Sequence, residues 1–195
     1  GDIINLDHLL FFILPNNRVG EIDTLFGEKN NSIFSDLIYE DSINNSFDKI
    51  HAFKNYVSYF DQKKYLTTIN FNKNTILLNK NKIEKVQSYQ FFNNSLITLN
   101  DDRLLRSFNI VNGNLFWKID TKDILLKEDT IINIASSANS FFIFFQGGNI
   151  LELDHRTGNI ISVQKLKLKN INYVYFIDKY ILINQQNGKT SVFIQ

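Results

Sequence analysis

Cysteine is missing from all 195 residues, so no disulfide framework, thiol nucleophile, redox pair or Cys-based zinc site can form. Methionine is missing too, and the first residue is Gly, which points to a removed leader or to a piece cut from a longer chain. Charge of one sign is also lacking. The 21 basic and 20 acidic residues are mixed along the chain and leave a net charge of +1, without the basic stripe that phosphate-backbone binding needs. No nucleic-acid partner is expected. The apolar runs Leu9 to Pro15 and Phe141 to Phe145 are far shorter than the roughly 20 residues that span a bilayer, so no transmembrane segment is expected in this chain.

What the chain has in excess is Phe (18) and Tyr (8), with a single Pro. Asn and Ile together make up roughly a quarter of it, a bias that matches AT-rich coding DNA. Strong 3.6-residue periodicity is hard to find. Short apolar or alternating runs are everywhere, separated by Asn-Asn, Asn-Asp-Asp, Gly-Gly, Asn-Gly and Thr-Gly. These residues tolerate positive φ or close their own turns, so the pattern predicts many short antiparallel strands and an all-β fold. The stretch from Asp36 to Asp48 is left undecided. Lys165, Lys167 and Lys169 alternate with Leu166 and Leu168, which predicts a half-buried strand with its lysines in solvent.

The chain also repeats. Ser95 to Trp117 (SLITLNDDRLLRSFNIVNGNLFW) and Ser140 to Ser162 (SFFIFFQGGNILELDHRTGNIIS) share one plan: strand, tight turn, strand, Asn or Asp, a polar stretch, Gly-Asn, strand. Asn109 matches Asp154, Gly113 matches Gly158, and Asn114 matches Asn159. Weaker copies place Asp23 and Asn70 in the same role, with Lys73-Asn74 in place of Asn112-Gly113. A further copy begins at Tyr180. The spacing of about 40 to 47 residues is that of a four-stranded propeller blade. The fold expected is therefore an all-β propeller, or part of one, built from antiparallel blades of about 40 to 45 residues. One domain over 1–195 would hold blades near 5–40, 49–84, 86–125, 131–168 and 171–195. The Asp/Asn side chains are expected to bind backbone amides two or three residues on, and the glycines to take positive φ.

Asp154, Thr157, Gly158, Gly113 and Trp117 resemble the pyrroloquinoline-quinone-type repeat: strand, Asp, two variable residues, Thr-Gly, then Trp. Asn109 and Asn112 stand in for its Asp and Thr, and Ser162 departs at its Trp position. The resemblance implies that Trp117 is a packing residue between blades. Among families with this repeat, the chain is most similar to the non-enzymatic group of the outer-membrane assembly lipoprotein BamB. That group implies a scaffold that binds protein partners through loops or exposed strand edges, with a periplasmic or cell-envelope location. Self-association to complete the ring is a further route. A degenerate or partial quinoprotein dehydrogenase and a luminal stress-sensor domain are the alternatives the same repeat leaves open.

A catalytic inventory is not found. His8, His51 and His155 lie in different repeats without metal-ligand spacing. The pairs Glu40-Asp41, Asp101-Asp102 and Glu128-Asp129 read as solvated turns, since strand neighbours point to opposite faces. No calcium loop, nucleophile elbow or phosphate-binding glycine loop occurs, and Gly147-Gly148 reads as a hairpin turn. No catalytic residue, cofactor or metal is expected.

Overall fold

A computed structural model describes residues 3–6, 9–14, 18–27, 47–61, 63–70, 73, 75–136, 140–154, 156–177 and 180–194. Most of the undecided stretch, residues 36–46, lies outside them, as do Glu40-Asp41, His8 and His155. The described residues form eighteen strands and no helix, in antiparallel sheets of three or four strands. The fold is of β-propeller type. The chain divides into two compact units, Gly1–Glu84 with Asn109–Asn114, and Lys85–Phe108 with Leu115–Gln195.

The first unit holds two sheets. One runs β1 (Ile3–Leu6), β2 (Leu9–Leu14) and β3 (Arg18–Asp23); the other runs β4 (Phe47–Phe53), β5 (Tyr56–Asp61), β6 (Tyr65–Asn70) and β7 (Thr75–Lys82). Each meanders in chain order, and the leading strands β1 and β4 lie against one another. The second unit continues with β8 (Val86–Phe92), β9 (Ser95–Asn100), β10 (Leu104–Asn109) and β11 (Leu115–Asp120). Next come β12 (Ile131–Ser136), β13 (Ser140–Phe145), β14 (Asn149–Asp154) and β15 (Ile160–Lys165). The fifth sheet comprises β16 (Ile171–Ile177), β17 (Tyr180–Gln185) and β18 (Thr190–Ile194). Its leading strands β8, β12 and β16 pack in succession, as the inner strands of neighbouring blades do.

Burial explains why the apolar runs fail to alternate. β9 and β13 are the second strands of blades covered on both faces, and Leu96, Ile97, Leu99, Phe141, Ile143, Phe144 and Phe145 are all nearly inaccessible. A strand buried on both sides has no polar face to show. The outer strands are the reverse: β15 is exposed at five of its six positions.

Two irregularities recur with the blade period, and nothing in the residue pattern announced them. Each leading strand from β4 onward carries one extra residue near its start, where pairing slips between Phe47 and Lys49, Val86 and Ser88, Ile131 and Asn133, and Ile171 and Tyr173. Such a bulge bends the strand and reverses which side chains face which neighbour. A second bulge sits in the outer strand and leaves Phe116 and Ile161 without a cross-strand partner. The lysine-leucine run corrects one expectation. β15 stops at Lys165, and residues 166–170 form a linker whose first amide, that of Leu166, donates to the Gly148 carbonyl. Leu166 and Leu168 still point inward, against the core of the fourth and fifth sheets, but without strand pairing.

Candidate functional site

The repeat residues all stand at the end of a third strand. Asp23 ends β3, Asn70 ends β6, Asn109 ends β10 and Asp154 ends β14. At each position a side-chain oxygen caps the following turn. Asp23 Oδ1 accepts the amides of Leu25 (2.9 Å) and Phe26 (3.4 Å), Asn70 Oδ1 that of Lys73 (3.0 Å), and Asn109 Oδ1 that of Val111 (2.7 Å). Asp154 Oδ1 takes three donors: the amides of Arg156 (3.0 Å) and Thr157 (2.8 Å) and the Thr157 hydroxyl (2.8 Å). The Thr157 amide foremost, then its hydroxyl, hold the exposed Asp154 carboxyl below its ordinary value. Thr157 Oγ1 in turn accepts the Asn159 amide, as Asn112 Oδ1 accepts that of Asn114. Asn thus does the work of Thr in the earlier copy.

Two of these residues, far apart in the sequence, meet. Gly158 has φ +72°, and a Cβ there would lie 2.5 Å from the Trp117 ring. The glycine is needed for both its backbone angle and its lack of a side chain. Trp117, 8% exposed, stacks on Phe141 at 5.8 Å between ring centres, and Phe141 packs on Phe92 at 5.7 Å. Trp117 belongs to β11 while Phe141 and Gly158 belong to the next blade, so the indole fills the seam between two sheets. The 109–114 turn, part of the first unit, repeats the arrangement. Gly113 also has φ +72°, and a Cβ there would meet Asn81 at 2.5 Å and Leu78 at 3.3 Å. Register places Leu78 of β7 where Trp117 stands in β11, opposite Thr68 and Ser107 respectively. The motif glycine of the first copy was missed in the sequence. Gly27, φ +65°, donates its amide to the Asp23 carbonyl just as Gly113 does to Asn109 and Gly158 to Asp154.

Beside Trp117 the seam opens into a cleft of about 290 Å³. Phe92, Phe116, Trp117 and Phe141 line it, with Ser107 and Arg156 among its polar groups. Phe116 is the bulged residue of β11 and is 45% exposed.

The second feature is the free face of the fifth sheet. In the third sheet, the leading strand reaches its successor through side chains: Ser88 Oγ accepts the Ile131 amide (3.0 Å) and Gln90 Nε2 donates to the Ile132 carbonyl (3.2 Å). In the fourth, Asn133 Nδ2 donates to the Val174 carbonyl (2.6 Å). The bulges align Ser88 and Asn133 with Tyr173, and Gln90 with Tyr175. These tyrosines are 53% and 55% exposed, with ring centres 6.0 Å apart. Cross-strand pairing adds Ile177, Tyr180 and Val192 to the same face, all exposed. Among the described residues β18 pairs only with β17.

One carboxylate pair needs correction. Asp129 is not solvated but buried at 3% exposure: its Oδ1 accepts the Gly147 amide (2.7 Å) and its Oδ2 the Asn149 Nδ2 (3.3 Å). It ties the approach to β12 to the β13–β14 hairpin. Its partners lie 18 and 20 residues on, so a carboxylate pair in the sequence could not reveal it. Glu128 beside it is exposed, as expected of a turn. Among the described residues no three His, Asp or Glu side chains gather around a point where a metal ion could sit, and no helix is long and apolar enough to cross a membrane.

No protein-family model and no curated protein matches the chain. Its structure is similar to many solved ones. BamB from Moraxella catarrhalis matches with a TM-score of 0.66 at 15% identity, over 97% of this chain and 56% of that one. The computationally designed Ika8 protein matches equally well, at 0.66 and 15%, over 99% and 57%. The Cps50 (Swd1) β-propeller domain of Myceliophteria thermophila matches at 0.65 and 10%, over 97% and 68%. At such identities the likeness is one of fold. The chain spans a little over half the length of BamB and Ika8.

Proposed function

We propose that the chain is a non-catalytic β-propeller scaffold that binds other proteins through its loops and through the uncovered fifth sheet, in the setting of outer-membrane protein assembly. The observation that supports this reading best is the aromatic face of β16 to β18. A contiguous exposed apolar surface of this kind is a common mark of a binding site, and its positions are those by which the two preceding blades grip their successors. The envelope setting and a periplasmic location belong to this proposal and follow from the resemblance of the repeat to the BamB group; the likeness of fold to BamB is compatible with them.

The occupant that fits this face is another propeller blade, and we assign it to a second copy of the chain. In the two preceding sheets the side chains at these positions bind the next blade, so a blade of like sequence is the partner this face fits. Sedimentation velocity tests this: the chain is expected to dimerise, and Tyr175→Lys to leave a monomer with unchanged circular dichroism. A chain that stays monomeric at high micromolar concentration, with the variant behaving alike, rules out the second copy. A purified chain that oxidises an alcohol or aldose when given pyrroloquinoline quinone and calcium overturns the non-catalytic reading.

A further inference from the structure

We infer that the cleft beside Trp117 is a peptide-binding site for a short extended segment that carries an apolar side chain next to a carboxylate. The inference deepens the scaffold reading, on which it rests, by naming one site and the chemistry of its ligand.

The floor of the cleft is aromatic. Phe92 and Trp117 both pack on Phe141, with ring centres 5.7 and 5.8 Å from it. Phe116 stands at its mouth, 45% exposed, because the β11 bulge leaves it without a cross-strand partner. A volume of about 290 Å³ lies at the lower limit of small-ligand pockets, which suits one large side chain and its immediate neighbour. The Trp117 ring rests on Gly158, whose turn is fixed by Asp154, and Phe141 and Phe92 pack on in series, so the floor is in place before any ligand arrives.

The polar groups select the charge. Arg156 lines the cleft from the capped turn, and among the described residues no carboxylate lies within ion-pair distance of it. Its nearest acidic neighbour in the sequence, Asp154, already spends Oδ1 on three donors of the same turn. Ser107, only 1% exposed, lines the same cleft, and no hydrogen bond to its hydroxyl is found among the described residues. A guanidinium and a hydroxyl above an aromatic floor complement a carboxylate attached to an apolar group. A peptide fits this better than a nucleic acid: the net charge of +1 without a basic stripe gives no track for a phosphate backbone.

Trp117 is the only tryptophan in the chain, so its fluorescence reports occupancy directly. The probe is acetyl-Gly-Gly-Phe-Asp-Gly-amide, titrated against the full chain. A saturable change in Trp117 emission is expected, with binding weakened about tenfold or more by Arg156→Glu. That variant is expected to prefer acetyl-Gly-Gly-Phe-Lys-Gly-amide instead. Phe116→Ala, at an exposed position, should abolish the signal without changing circular dichroism. Acetyl-Gly-Gly-Gly-Phe with a free terminus separates a terminal from a side-chain carboxylate, and tighter binding of either supports the site. The inference fails if the acidic peptide gives no saturable change at millimolar concentration, if Arg156→Glu binds it equally well, or if a thymidine decamer binds more tightly. Failure here with intact Tyr175-dependent dimerisation removes this site alone; failure of both removes the scaffold reading.

Discussion

The second unit joins its three sheets by two seams built in different ways. Between the third and fourth sheets, Trp117 projects from the outer strand and lies on Gly158 and Phe141 of the next blade. Between the fourth and fifth, the matching position is Ser162, whose hydroxyl turns back to Glu152 Oε2 in its own sheet at 2.9 Å. Ser140 binds the other oxygen of the same carboxylate at 3.0 Å. Apolar filling there comes from strand residues such as Phe144 and Phe176, whose ring centres lie 5.6 Å apart, and from Leu166 and Leu168 of the linker. The first seam belongs to a core cluster of eleven buried residues, the second to one of five. One blade geometry thus accepts either a large rigid ring from the outer strand or, in its place, flexible aliphatic groups from a linker, because neighbouring inner strands set the spacing and outer residues only fill what remains.

The sharpest way to break this contrast is Trp117→Ala. Removing a nearly buried indole leaves a cavity and should cost about 3–4 kcal/mol, read from urea unfolding, while Ser162→Ala loses one half-exposed hydrogen bond and should cost about 1 kcal/mol or less. Gly158→Ala comes next, expected to cost about 2–3 kcal/mol from left-handed strain plus collision with the ring. Gly188→Ala serves as its control. That glycine also has positive φ, at +82°, but nothing lies within 4 Å of its would-be Cβ, so only the backbone part, about 1 kcal/mol, should appear. The double variant Trp117→Ala with Gly158→Ala should cost clearly less than the sum of the two, since the collision vanishes with the ring. Additive costs would mean that ring and glycine do not touch.

The smallest effect is electrostatic. The fold lowers the Asp154 carboxyl, mainly through the Thr157 amide. A lowered folded value means stabilisation that is complete above the unfolded carboxyl pKa, near 3.9, and is lost as pH falls through the folded value. Asp154→Asn should therefore flatten the loss of stability between about pH 4 and the depressed value, measured as the urea midpoint at several acidic pH values. An identical acid slope in the variant would show that the capped turn contributes nothing there.

What was legible in the residues was local. Asp154, Thr157 and Gly158 specify their own turn through contacts two to four positions away, so the turn and its period could be read without knowing what lies around it. The bulges in β4, β8, β12 and β16 could not, because they exist only in pairing with the following strand. Without them the alternation of β16 gives the wrong faces, and the exposure of Tyr173 and Tyr175 is hidden. Left-handed slots filled by other residues escaped for a related reason. Lys64 (φ +69°) and Arg103 (φ +60°) occupy the hairpin position that Gly148 and Gly188 hold in later sheets. Arg103 offsets its strain by donating from Nη1 to the carbonyls of Lys122 and Leu125. Asp129 was misread because its partners come from the next hairpin, and the lysine-leucine run because burial can alternate in a linker as it does in a strand.

A seam that takes its ring from one repeat and its glycine from the next belongs to neither repeat alone. Duplicating a single blade copies one half of the joint behind it and one half of the joint ahead, so the new copy fits only where those halves are alike; the fourth blade, with Gly158 on one side and Ser162 on the other, would set a slot for a ring against a serine. Substitutions are not inherited freely either. A larger residue at position 158 collides with the Trp117 ring and costs least where 117 has shrunk, while at 113 the neighbours that must give way are the end of the Asn81 side chain and Leu78. Growth by whole blades and drift at the joints are thus both bound by the matching of residues that come from different repeats.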